Sequence, residues 1–255
     1  MTKKAKLTLV GAGPGDPELI TLKGIRALEE ADVVLYDALA NEELLDYCKP
    51  EAIKTFVGKR AGCHVYQQDK INETIVSEAK KHGHVVRLKG GDPYVFGRGH
   101  EELQFAEAHG VDVEIVPGVT SAISVPALNQ IPLTRRGINE SFWVMTAVKS
   151  DGSLAADIEL ATQSTATVVI LMGMKKLGKI LDVFKKHGQE DTPAAVIQNG
   201  SREDEKIVIG KVSNLSQLVL DHQLTSPAII VIGKTVALGE EKLKKNIQQM
   251  DPKPE

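Results

Sequence analysis

The sequence predicts an α/β protein of two domains, the first with a mostly parallel sheet and the second with a mixed sheet. From residue 6 to residue 116, short apolar runs typical of strands alternate with segments of helical spacing, a pattern that favours a parallel sheet. Pro117-Gly118 then breaks the alternation. Farther on, strand-like runs at 194–197 and 206–212 are separated only by a short polar loop, which predicts an antiparallel hairpin. We therefore expect α/β domains at 1–118 and 119–240, followed by a polar tail at 241–255.

The first domain begins with an apolar strand at 6–10. The segment 21–31 places Leu22, Ile25 and Leu28 on one helical face, and Thr21 is suited to cap that helix. The same patterns predict strands at 32–36, 85–88 and 111–116, and helices at 71–81 and 101–109.

A helical stretch near 120–128 opens the second domain. Strand-like runs follow at 142–146, 168–172, 194–197, 206–212 and 228–232, and helical spacing appears at 175–187 and 214–220. The last residues, 243–255, are charged and polar and contain two prolines, so we expect them to fray.

Composition limits the classes of function. The formal net charge of −3 over 255 residues argues against general affinity for nucleic acid or for an acidic membrane surface. The N-terminus lacks the long apolar core of a signal peptide, and no apolar run approaches the roughly 18 residues of a membrane span. Cys48 and Cys63 lack paired-ligand spacing, which predicts free thiols in a reducing compartment and no structural zinc. We expect a cytoplasmic protein.

The first candidate ligand loop is residues 10–17 (VGAGPGDP), at the end of a strand. A Rossmann fingerprint would need a third glycine where Asp16 stands, and Pro14 and Pro17 direct the chain away from an immediate helix. Asp37 lies about where a ribose-binding acid would follow, or it points into a crevice for another reason. The loop is either a structural turn or a place where backbone amides approach a ligand.

The second loop, residues 90–99 (GGDPYVFGRG), is more specific because its glycines cluster beside a buried strand. Asp92 can cap the local backbone, but the clustering favours a clamp for the polar end of a small ligand. A third segment, residues 117–122 (PGVTSA), opens a helix with small and hydroxyl residues that either form a simple cap or hold a carboxylate.

Arginine placement gives an independent indication. Five of the seven arginines fall between residues 60 and 136, inside or beside the glycine loops. They are Arg60, Arg87, Arg98, Arg135 and Arg136. Because arginine pairs bidentately with carboxylates, the clustering predicts a substrate with several carboxylates, although surface ion pairs would also account for each arginine singly.

Together these strings resemble the tetrapyrrole methyltransferases, and in particular the members that methylate uroporphyrinogen III. The likeness covers roughly residues 6–238 and depends on the motifs above together with 34–37 (VLYD), 56–60 (FVGKR) and 131–136 (IPLTRR). It continues more weakly at 171–173 (LMG), 198–200 (QNG) and 226–228 (SPA).

The resemblance implies a homodimer of the tetrapyrrole methylase fold, with S-adenosylmethionine (SAM) in the cleft between two domains. It implies methylation of uroporphyrinogen III at C2 and C7 without a metal, giving precorrin-2 by way of precorrin-1, with S-adenosylhomocysteine (SAH) as the other product. By position, Asp37 corresponds to a proton acceptor and Lys59 to a proton donor, while Arg60, Arg98, Arg135 and Arg136 are candidates for the substrate carboxylates. The implied SAM contacts are Pro14, Gly90, Gly91, Asp92, Val95, Thr120, Ser121, Met172, Gly200 and Ala228.

Three alternatives remain open at this point: methylation at another tetrapyrrole carbon, a substrate outside the tetrapyrroles such as RNA, and a sensor that binds a nucleotide without catalysis. The weak basic character speaks against RNA.

Overall fold

The structure is a computed structural model, which describes residues 4–58, 68–149 and 151–239. The chain divides into two compact units, Met1–Thr120 and Ser121–Glu255. Each unit has its own five-stranded sheet. None of the described helices has both the length and the apolar character needed to cross a bilayer.

The sheet of the N-terminal unit is parallel throughout, in the order β3-β2-β4-β1-β5. Its strands are β1 (Lys6–Gly11), β2 (Val33–Tyr36), β3 (Ile53–Phe56), β4 (His84–Lys89) and β5 (Asp112–Val116). The central strands are buried on both faces, as parallel strands covered by helices are.

Helices cover both faces of this sheet. On one face, α1 (Leu22–Glu30) and a 3-10 turn (Glu42–Tyr47) pack on the apolar side chains of β1, β2 and β4. On the other, α2 (Gln68–His82) and α3 (Gly99–Ala108) pack on the alternate side chains. The predicted cap of α1 is confirmed, because the Thr21 hydroxyl accepts a hydrogen bond of 3.1 Å from Gly24 N.

The sheet of the C-terminal unit is mixed, in the order β6-β7-β10-β8-β9. Its strands are β6 (Phe142–Thr146), β7 (Thr167–Leu171), β8 (Pro193–Gln198), β9 (Lys206–Lys211) and β10 (Ala228–Ile232). Strands β6 and β7 are parallel, β10 is antiparallel to both of its neighbours, and β8–β9 form the predicted antiparallel hairpin. The mixed character of this sheet is thereby confirmed.

One face of this second sheet packs against α4 (Ser121–Leu128), whose Ala122 and Val125 are buried. The other face packs against α5 (Asp157–Ala161), α6 (Leu177–Lys186) and α7 (Leu215–Asp221).

The sequence missed one strand and one short α-helix. Strand β3 is a sheet edge whose Ile53 and Lys54 are exposed, so it lacks the apolar run that marks a buried strand. Helix α5 spans five residues, too few for its periodicity to be visible. The strand predicted at 168–172 ends at Leu171, because Met172 adopts a left-handed φ of 56°.

Candidate active site

The strand order of the N-terminal unit singles out the carboxyl ends of β1 and β4. The chain leaves β1 through α1 towards β2 on one side, and leaves β4 through α3 towards β5 on the other. Neighbouring strands whose connections run in opposite directions form a topological switch point, where open α/β sheets bind their ligands. The loops that follow β1 and β4 are the two glycine loops identified in the sequence.

Backbone hydrogen bonds join these two loops directly. Gly91 N donates to Gly13 O at 2.7 Å, and Gly13 N donates to Gly91 O at 3.2 Å. A Cβ atom on Gly118, in the loop after β5, would lie 2.2 Å from Gly91 O, and one on Gly11 would lie 2.4 Å from Gly118 Cα. The space beside Gly11 and Gly118 is therefore filled by neighbouring backbone, which agrees at Gly11 with the structural turn that the sequence analysis left open.

Asp92 ties the loop after β4 to the loop after β5. Its Oδ1 accepts a hydrogen bond from Tyr94 N at 2.8 Å, and its Oδ2 accepts one from Gly118 N at 3.0 Å. The capping interpretation of Asp92 is therefore confirmed. Each carboxylate oxygen keeps a second lone pair, so this role is compatible with a ligand contact.

Strained backbone is concentrated in the loops that the sequence singled out. Among the described residues, seven non-glycine residues have a positive φ, and five of them lie in three of these loops or next to them. They are Phe96 and Arg98 after β4, Met172 after β7, and Asn199 and Ser201 after β8. Left-handed conformations of such residues cost free energy and cluster at functional sites.

In the C-terminal unit, three of the predicted SAM contacts lie at one edge of the sheet. Met172 follows β7, Gly200 lies just beyond the end of β8, and Ala228 begins β10. Because β10 is antiparallel to β7 and β8, its first residue lies at the edge where those two strands end. A Cβ on Gly200 would lie 2.3 Å from the Val125 side chain of α4, so this glycine is required by packing.

Asp37 follows β2 and is held by a buried arginine. Arg87 Nη2 donates to Asp37 Oδ2 at 3.1 Å, and Leu39 N donates to Oδ1 at 3.1 Å. The Asp37 side chain remains 23% exposed, against 4% for Arg87. Arg87 is therefore an internal anchor for Asp37 and is not available to a substrate carboxylate.

The same arginine belongs to a buried charged cluster that the sequence analysis missed. Glu102 of α3 is fully buried, and its Oε1 accepts hydrogen bonds from Arg87 Nε at 3.3 Å, Lys89 Nζ at 3.0 Å and Gln68 Nε2 at 3.1 Å. Burial, together with the charge of Arg87, lowers the pKa of Lys89. The sequence does contain a signal for this cluster, because Arg87 and Lys89 lie on the same face of a strand that is otherwise largely apolar. Two cations buried in this way require a buried anion nearby.

The candidate arginines are placed very differently from one another. Arg98 is exposed and pairs with Glu101 through Nε and Nη2, so part of its donor set is already used.

Arg135 and Arg136 are exposed on a turn that the buried Asn139 holds in place. Asn139 Oδ1 accepts a hydrogen bond of 2.9 Å from Arg135 N, and its Nδ2 donates one of 3.1 Å to Thr167 Oγ1. Thr167 begins β7 and Met172 follows its last residue, so the turn and Met172 lie at opposite ends of this strand.

Other predicted residues stand as follows. Pro14, Gly90 and Val95 lie in the loops after β1 and β4, while Thr120 and Ser121 lead into and begin α4. Lys59, Arg60 and Cys63 lie outside the described residues.

Cys48 is a buried free thiol, and burial raises its pKa. Within the described ranges there is no cluster of three acidic, histidine or cysteine side chains that would suit a metal ion.

Comparison with known proteins identifies the family. A family model for tetrapyrrole (corrin/porphyrin) methylases matches residues 6–216. The chain belongs to the tetrapyrrole methylases. This methylase is 44% identical over 246 residues to a protein of Methanosarcina barkeri named S-adenosyl-L-methionine-dependent uroporphyrinogen III methyltransferase, covering 93% of this chain and 96% of that one.

Two solved structures resemble this tetrapyrrole methylase closely. One is a uroporphyrin-III C-methyl transferase of Thermus thermophilus in complex with SAH, with 38% identity, a TM-score of 0.78, and coverage of 91% of this chain and 99% of that one. The other is a cobalt precorrin-4 methyltransferase of cobalamin biosynthesis, with 31% identity, a TM-score of 0.81, and coverage of 91% and 96%. Since the two names give different tetrapyrrole substrates, the fold alone does not select the substrate.

Proposed function

We propose that this tetrapyrrole methylase transfers methyl groups from SAM to C2 and C7 of uroporphyrinogen III, forming precorrin-2 by way of precorrin-1. The observation that carries the proposal is the 44% identity, along nearly the full length of both chains, to a protein named for this activity. Precorrin-2 is a precursor for sirohaem and cobalamin synthesis, so we place the enzyme at that branch.

The proposed SAM contacts in the N-terminal unit are Pro14, Gly90, Gly91, Asp92 and Val95. The switch point at the ends of β1 and β4 supports them, because the loops there are stiff before any ligand binds. The proposed contacts elsewhere are Thr120, Ser121, Met172, Gly200 and Ala228, and the strained backbone at Met172 supports this set. When bound, SAM supplies a methyl group that its sulfonium makes electrophilic.

The chain itself must orient the substrate and remove a proton. A pyrrole carbon that gains a methyl group leaves the macrocycle with a positive charge, and loss of a ring proton restores neutrality. We assign this proton to the Asp37 carboxylate, which is partly exposed and is oriented by Arg87 and by the Leu39 amide. Lys59 is the proposed proton donor.

Uroporphyrinogen III carries eight carboxylates, and we assign their recognition to Arg60, Arg98, Arg135 and Arg136. Arg98 can exchange part of its pairing with Glu101 for a substrate carboxylate, since its guanidinium has five donors and only Nε and Nη2 are engaged with Glu101. We further propose that the enzyme works as a homodimer in the cytoplasm. The net charge of −3 supports a small-molecule substrate over RNA.

Incubation of the purified chain with SAM and uroporphyrinogen III under anaerobic conditions tests this function. We expect a dimethylated product by mass spectrometry. With SAM labelled with 13C in the methyl group, NMR should show two labelled methyl groups, one attached to C2 and one attached to C7. Methylation at other carbons would assign the enzyme to another step in tetrapyrrole synthesis. Bound SAM without any turnover would favour the sensor.

A further inference from the structure

The least typical feature of the N-terminal unit is the set of charges buried beneath the candidate site. Arg87, Lys89 and Glu102 have side chains exposed by 5% or less. Buried ion pairs contribute little net stability, because desolvation offsets their attraction. A role other than stability therefore suits this cluster, and its hydrogen bonds lead to Asp37.

Arg87 is fixed through all three of its guanidinium nitrogens. Nε donates to Glu102 and Nη2 donates to Asp37, while Nη1 donates to the carbonyl oxygens of Leu35 at 3.3 Å and Leu88 at 2.8 Å. A planar guanidinium held at every nitrogen cannot rotate. Because Leu35 belongs to the strand that carries Asp37, the guanidinium is tied both to the carboxylate and to the backbone that presents it.

From this geometry we infer that Arg87 is a positioning residue for the Asp37 carboxylate, and that Glu102 fixes Arg87 in the orientation that this task requires. The inference rests on the proposed function, in which Asp37 accepts the proton. Because the Arg87 side chain is only 4% exposed, we assign it no direct contact with substrate or SAM. Its contribution is to the angle and position of the carboxylate, and a misplacement of about 1 Å in a reacting group can cost a hundredfold in rate.

Arg87→Lys is the direct test. Lysine keeps the positive charge but has a single nitrogen, which cannot contact Glu102, Asp37 and both carbonyls with the geometry of the fork. We expect kcat for methylation to fall by about tenfold to a hundredfold. The KM for uroporphyrinogen III and the SAM dissociation constant should stay close to those of the unaltered chain. Arg26→Lys, on the exposed side of α1, is the matched control and should leave every constant unchanged.

A double-mutant cycle separates positioning from a merely structural role. In an Asp37→Asn background the carboxylate is gone, so Arg87→Lys should cause no further loss of kcat. An equal loss in both backgrounds would overturn the proposal, because it would show that Arg87 acts independently of Asp37. An unaltered kcat in the single variant would overturn it as well.

Glu102→Gln provides a second variant in case Arg87→Lys does not fold. Among the described residues, Glu102 Oε2 has no hydrogen-bond partner, so the amide nitrogen of glutamine can take that position while its oxygen keeps the acceptor role. Loss of the Glu102 charge leaves Arg87 and Lys89 without their buried counter-charge, so we expect a lower melting temperature, and kcat is compared at a temperature where circular dichroism shows a folded variant. There kcat should fall by less than in Arg87→Lys, and again with no loss in the Asp37→Asn background. Full activity of Glu102→Gln would remove Glu102 from the proposal.

The two levels of failure are distinguishable. If the unaltered chain does not methylate uroporphyrinogen III, the proposed function and this inference both fail. If it does, and the cycle shows additive losses, only the positioning role is lost.

Discussion

Gly13 and Gly91 exchange two backbone hydrogen bonds, and this pair joins the loop after β1 to the loop after β4. The contact is made where β1 and β4 send their chains to opposite sides of the sheet. The two loops are thus held together by main-chain atoms at the topological switch point. Both residues have a positive φ, 80° for Gly13 and 67° for Gly91, a conformation that glycine adopts without a steric penalty.

Gly118→Ala tests this packing. The added Cβ would lie 2.2 Å from Gly91 O and 2.6 Å from Gly11 Cα, and these are backbone atoms that cannot move independently. We expect a loss of about 1–3 kcal/mol in the free energy of unfolding, together with weaker SAM binding. Thermal melting and calorimetric titration with SAM measure the two effects.

Gly178→Ala is the matched control for that substitution. Gly178 lies in α6, and a Cβ there meets no atom within 4 Å. This variant should be unchanged or stabilised by up to about 1 kcal/mol, since alanine favours helices. Equal stability of the two alanine variants would contradict the packing argument.

Asp37→Ala should separate turnover from SAM binding. Removal of a general base lowers rate by about 10²–10⁴-fold, so we expect kcat to fall in that range. The SAM dissociation constant should be unchanged, because Asp37 is not among the proposed SAM contacts. Steady-state kinetics measures kcat, and calorimetry measures the SAM dissociation constant. Methylation at the normal rate would show that the base is another residue.

Arg135→Ala and Arg136→Ala should raise the KM for uroporphyrinogen III. We expect increases of about threefold to tenfold for exposed, charge-assisted contacts, larger at low than at high ionic strength. The turn that carries both arginines lies where β7 begins, whereas Met172 lies where β7 ends. A substrate bound by these arginines must therefore contact the end of the second sheet that is remote from Met172. An unchanged KM in both variants would confine carboxylate recognition to Arg60 and Arg98.

Glu114 predicts a specific dependence of stability on pH. Hydrogen bonds from Lys23 and Lys6, at 2.6 and 2.9 Å, lower the pKa of Glu114 from 4.5 to about 2. The folded state therefore favours the carboxylate, and the stabilisation is complete above pH 4.5 and is lost as the pH falls towards 2.

Glu114→Gln should accordingly lower the free energy of unfolding at neutral pH, by less than about 1 kcal/mol since the pair is partly solvated. The difference from the unaltered chain should shrink steadily below pH 4.5, as followed by denaturant unfolding at a series of pH values. Glu29→Gln, on the exposed surface of α1, is the control. A difference that persists at pH 2 would show that the ion pairs are not its cause.

Much of the secondary structure could be predicted because its signals are local. The short apolar run of β4, the helical spacing of α1 and the hydroxyl of Thr21 each act within a few residues. The short loop before β9 limits that strand to antiparallel pairing with β8, which the structure confirms. The weak elements β3 and α5 were missed because an exposed edge and a single helical turn carry little pattern.

The sequence by itself determined the α/β alternation, the mixed second sheet and the glycine loops, because these depend on residue spacing along the chain. Only the tertiary structure decided the strand order, and with it the switch point at β1 and β4. It also paired Asp37 with Arg87 and Arg87 with Glu102, and it placed the Arg135 turn and Met172 at opposite ends of β7. Such placements depend on which distant strands become neighbours, and that choice follows from burying both faces of each sheet at once.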